Sequence, residues 1–121
     1  MTKTMEKWLG FHFSTGSYPG DDYKSFERNA KADLKKQIIP AGFELYSFNG
    51  NHYEFSAVLR HIATGKYIFV SISDVRFWQD EWAHDVLIRT MAHAKDWTGG
   101  PNNRCEWDGI AEKALQLVKY S

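Results

Sequence analysis

A chain of 121 residues with 43% hydrophobic and 16% aromatic content has enough apolar side chain for one packed domain, which excludes the disordered and low-complexity classes. Lys plus Arg and Asp plus Glu number fifteen each, so no global field draws the molecule to nucleic acid or to an anionic membrane. A single cysteine, Cys105, excludes an intramolecular disulfide and a cysteine-only metal cluster, and suits a reducing compartment.

The opening stretch MTKTMEKWLGFHF contains neither the apolar centre of a signal peptide nor a run long enough to span a bilayer, so a cytoplasmic protein without membrane contact is expected. No repeat, low-complexity tract or linker divides the chain, and residues 1–121 read as a single α+β domain.

In chain order, residues 8–14 alternate, with Leu9, Phe11 and Phe13 on one side, and predict a first strand. Pro19 and Gly20 turn the chain. Asp21 or Asp22 suits a helix N-cap, because a short carboxylate accepts from the free amides of the first turn. Tyr23, Phe26, Ala30, Leu34 and Ile38 then recur at spacings of three and four, a single helical stripe, while Lys24, Arg28, Lys31, Lys35 and Lys36 take much of the remaining surface. Pro40 and Gly42 stop that helix. Residues 43–48 predict a strand, Asn49, Gly50 and Asn51 a hairpin turn, and residues 52–61 its partner. Ala63, Thr64 and Gly65 turn the chain into a central strand at 67–73, and a further strand follows at 86–93. Gly99, Gly100 and Pro101 end the sheet. Asn103 and Glu106 read as a capping box for a second helix, whose stripe is Trp107, Ile110, Ala111, Ala114, Leu117 and Val118. The order βαββββα implies a single layer of about five mainly antiparallel strands with both amphipathic helices on one face. Period two then sends Ile68, Val70 and Ile72 toward the helices and Tyr67, Phe69, Ser71 and Ser73 away from them.

Residues 74–85 bring Phe77, Trp78 and Trp82 together with Asp80, Glu81 and Asp85. Aromatic anchors rimmed by acid are what a protein-binding hot spot uses, and a solvated lid with inward-packed rings is the plain alternative. Phe77, Trp78, Asp80, Glu81 and Trp82 are therefore the candidate partner-binding residues. A second candidate is a nucleic-acid surface in which Tyr67 and Phe69 stack bases and Lys24, Arg28 and Lys31 meet phosphates. Against it stand the neutral charge and the ordinary fate of such rings, a small second core beneath Trp8, Tyr46 or the 74–85 loop.

Catalytic and metal signatures are sparse. His12, His52, His61, His84 and His93 have no spacing that marks a metal site, and no cofactor motif occurs. His12, Phe13 and Ser14 have the form of one half of the paired motif of two-histidine phosphoesterases. Those enzymes need a second such tripeptide and none follows, so the match reads as chance; a small phosphodiester or nucleotide hydrolase acting through His12 and a carboxylate stands as the third reading. Cys105, placed in the first turn of the second helix, would have its thiol pKa lowered by the helix dipole, but no base is identifiable near it in sequence, and a small residue at a helix start is the plainer reading.

The segments SISDVRFWQDEW and VLIRTMAHAKDWTGGPNN resemble stretches from small uncharacterised proteins of phages and conjugative elements. Proteins of this size from that setting are often inhibitors of bacterial defence, including anti-CRISPR proteins. The resemblance covers the second half of the chain and transfers no functional residue. It implies a noncatalytic protein that occupies a host protein surface, a defence nuclease complex among the candidates. A homodimer through the helix-free sheet face is a further expectation, because exposed apolar sheet tends to be covered.

Overall fold

A computed structural model of the chain describes residues 21–51, 54–72, 86–96 and 102–120. Helix α1 spans Asp21–Ile38. Strands β1 (Phe43–Asn51), β2 (Glu54–His61), β3 (Tyr67–Ile72), β4 (Val86–Met91) and β5 (Asn103–Cys105) follow, then a 3₁₀ turn at Trp107–Gly109 and helix α2 (Ile110–Tyr120). The strands pair in chain order as an antiparallel five-stranded meander. Both helices pack on one face of it, the α+β arrangement expected. Among the described residues no helix is long and apolar enough to cross a membrane.

The helical stripe of α1 is the strongest link between sequence and packing. Tyr23, Phe26, Ala30, Leu34 and Ile38 are all fully buried. They share one buried cluster with Phe55, Ala57 and Leu59 of β2, Ile68, Val70 and Ile72 of β3, and Val86 and Ile88 of β4. Trp107 of the 3₁₀ turn and Ile110, Ala114 and Val118 of α2 complete the same core. Burying a large aliphatic or aromatic side chain is worth roughly 1.5–3 kcal/mol, so this single cluster is the main source of stability. Two polar links fix the helices in place. The Tyr23 hydroxyl donates to the Glu54 carbonyl at 2.7 Å. The Trp107 indole N–H donates to the buried Asp33 carboxyl at 2.5 Å.

Several local expectations are corrected. Asn49, Gly50 and Asn51 are strand residues, paired with Ser56, Phe55 and Glu54, and do not form the hairpin turn. At Gly50 a Cβ would meet the Glu27 carboxylate of α1, so a side chain there would have to displace the end of the Glu27 side chain. Asn103 and Glu106 form no capping box. Asn103 pairs with Ile88 as the start of β5, and Glu106 precedes the 3₁₀ turn with no side-chain cap bond. Strand pairing to β4 outcompetes helix initiation there because it satisfies backbone groups along an otherwise open edge. The fourth strand ends at Met91, with His93 in the following turn. The strand expected at residues 8–14 lies outside the described residues.

A bulge between Leu45 and Ser47 of β1 resets its alternation. Phe43 and Leu45 face the helices before it, and Phe48 and Gly50 after it, so Tyr46 and Ser47 both point to the opposite face. There the Tyr46 ring meets the Tyr67 ring edge-on at 5.2 Å.

Candidate functional site

The helix-free face of the sheet is built by period two on the strands and by the register between them. Tyr67, Phe69 and Ser71 of β3 lie beside Arg60, Val58 and Ser56 of β2, and beside Met91, Arg89 and Leu87 of β4. The orientation expected for β3 therefore holds, but its rings are half-buried and not open. Val58, Arg89 and Met91 in the same layer are buried. Phe69 carries the Arg89 guanidinium over its ring at 4.6 Å from the centroid, while Arg89 donates to the Asp96 carbonyl at 3.1 Å. A guanidinium satisfied by a ring face and a main-chain oxygen makes this layer a small mixed core. Arg60 on the same face pairs with Glu44 at 3.2 Å. Lys66 turns to the helix side, where its ammonium donates to the Val118 carbonyl near the end of α2, a favourable place for a cation.

At one end of this face the cross-strand neighbours Asn49, Ser56 and Ser71 form a polar row. With Glu54, Phe55 and Phe69 they line an open cleft of about 450 Å³. No periodicity in the sequence announces this row, because its members are brought side by side only by hairpin register. A buried arginine on β4 is equally silent in the sequence, where Arg89 reads as an ordinary outward residue.

The basic candidates lie elsewhere. Lys24, Arg28 and Lys31 are exposed on α1, which covers the other face of the sheet. They line a second cleft, of about 310 Å³, with Glu27, Phe48 and Gly50. Tyr67 and Phe69 on one side and Lys24, Arg28 and Lys31 on the other are thus separated by the sheet. The structure does not bring the two halves of the nucleic-acid reading together.

Phe77, Trp78, Asp80, Glu81 and Trp82 lie outside the described residues, as do His12, His52 and His84. The residues that flank the 74–85 segment are described. Ser71 and Leu87 are the last pair of the β3–β4 ladder, and Ile72 and Val86 beside them are buried. His61 and His93 serve turns. His61 Nδ1 and the Thr64 hydroxyl share a hydrogen bond at 2.8 Å, and His93 Nδ1 accepts from the Lys95 amide at 3.2 Å.

Cys105 is on β5 and not in a first helical turn. Its thiol is pushed up from 9.0 to about 11, chiefly by burial; Lys113 lowers it and the Glu106 carboxylate raises it. This is the opposite of the shift a first helical turn would give, and it leaves the group a protonated packing residue at neutral pH.

Compared with protein-family models, with curated proteins and with solved structures, the chain matches none. The class defined by the fold is accordingly architectural: among the described residues, an α+β domain with a five-stranded antiparallel meander and two helices on one side.

Proposed function

We propose that this protein is a noncatalytic binding protein that inhibits a host protein, in the manner of anti-defence proteins encoded by mobile elements, and that residues 74–85 carry the contact. The observation that supports this reading is the anchoring of that segment. Its two ends leave adjacent antiparallel strands, β3 and β4, immediately beyond the Ser71 and Leu87 pair and the buried residues Ile72 and Val86. Binding residues are commonly carried on loops that a rigid scaffold positions, since the scaffold reduces the ordering cost of association. Trp78 and Trp82, with Phe77, act as anchors, and Asp80 and Glu81 pair with Lys or Arg of the partner.

The test is affinity purification of tagged protein from the host cytoplasm, followed by quantitative binding to whatever co-purifies in stoichiometric amount. The Trp78→Ala/Trp82→Ala double variant is expected to lose at least ~2 kcal/mol of binding, the scale of a hot-spot truncation, with an unchanged circular dichroism spectrum. Full binding by that variant rejects the assignment. Co-purification of nuclease-sensitive material without a protein partner replaces it with the nucleic-acid reading.

A further inference from the structure

The cleft beside α1 has a regular geometry of its own. Helix and edge strand run antiparallel and keep step: Glu27 sits over Gly50, and the Lys31 ammonium lies over the Phe48 ring at 5.6 Å from its centroid. Four helical residues advance ~6 Å and two strand residues ~6.6 Å, so the match persists along the contact. β1 is an edge of the described sheet, and an edge strand presents unpaired N–H and C=O groups. Beside that edge stand three exposed cations, Lys24, Arg28 and Lys31. Among the described residues none of them forms an ion pair, and Arg28 reaches only the Ser25 hydroxyl, at 3.4 Å.

We infer that β1 takes up an extended acidic segment of a partner protein as an added strand, with carboxylates at every second position facing Lys24, Arg28 and Lys31. Alternate side chains of a strand share one face and recur every ~6.6 Å, close to the ~6 Å of helix axis between Lys24 and Arg28. Main-chain hydrogen bonds to the edge supply affinity, and the row of cations selects register and composition. The rings that would stack bases lie across the sheet, which favours an acidic peptide over a nucleic acid. The surface excludes residues 74–85, so it stands or falls separately from the function proposed above.

The probe is a labelled peptide, Glu-Val-Glu-Thr-Glu-Val-Glu, compared by fluorescence anisotropy with a peptide of the same composition whose Glu residues are contiguous, and with a single-stranded oligonucleotide. The alternating peptide is expected to bind about tenfold more tightly than the contiguous one, with affinity falling as salt rises. Lys24→Glu/Arg28→Glu should reduce that affinity by about tenfold or more without changing the circular dichroism spectrum, and the Trp78→Ala/Trp82→Ala variant should bind like the unmodified protein. Amide hydrogen exchange along β1 should slow in the complex. Absence of binding at low salt, equal binding of the two peptides, preference for the oligonucleotide, or unprotected β1 amides would each overturn the inference.

Discussion

Two side chains show how a single residue ties distant parts of the chain together. Asp33 on α1 is buried and takes the Trp107 indole N–H, with the Gln37 amide contributing a longer contact at 3.4 Å. Trp107→Phe keeps most of the buried ring but removes the donor, leaving a buried carboxyl group short of a partner. The expected cost is about 1–3 kcal/mol in urea unfolding, and Asp33→Asn, which keeps an acceptor, should cost less. Cys105 makes a pH prediction of defined sign. The unfolded chain loses the thiol proton near 9.0, whereas the folded protein holds it to about 11. Between these values the unfolded state binds fewer protons, so the thiol's contribution to stability is complete below pH 9 and declines as pH rises toward 11. Urea midpoints measured across that window should fall less in Cys105→Ala than in the unmodified protein; identical slopes would contradict the assigned environment. The burial of Trp107 is legible from its place in the apolar stripe. Its link to Asp33 is not, because the partners lie far apart in sequence and meet only when both helices dock.

At the scale of elements, stripes and stops were readable and junctions were not. All five apolar positions of α1 reach the core because 3.6-residue periodicity leaves one consistent face to bury. The stop is equally physical. Gly42 has φ +90°, a conformation that costs a residue with a Cβ about 1–2 kcal/mol. Gly42→Ala should therefore lower stability by that amount in thermal or urea melts, and an unchanged midpoint would show that the turn relaxes to a conventional conformation. Gly50 appeared in the sequence with the same turn chemistry, between two asparagines, yet it lies within β1. Local preference permits a turn there, but pairing to β2 decides otherwise. Asn103 shows the same conflict. Its capping pattern with Glu106 is locally sound, and strand addition to β4 overrides it.

For the whole molecule, one core joins both helices to the middle strands, so unfolding of the described elements should be a single cooperative event. Far-ultraviolet circular dichroism and near-ultraviolet signals from the buried aromatics should give coincident urea transitions. Separated midpoints would mean that α1 or α2 docks as an independent unit. The α+β class, the antiparallel meander and the sidedness of β3 follow from periodicity alone, since the amphipathic patterns of helix and strand dictate which faces must be buried. Tertiary structure alone decided the rest: the bulge at Tyr46, the strand at Asn103–Cys105, and the burial of Arg89 against Phe69. Each depends on strand register or on the packing of one element against another. Those quantities are set by which distant backbone groups pair, and local spacing in a single chain does not encode them.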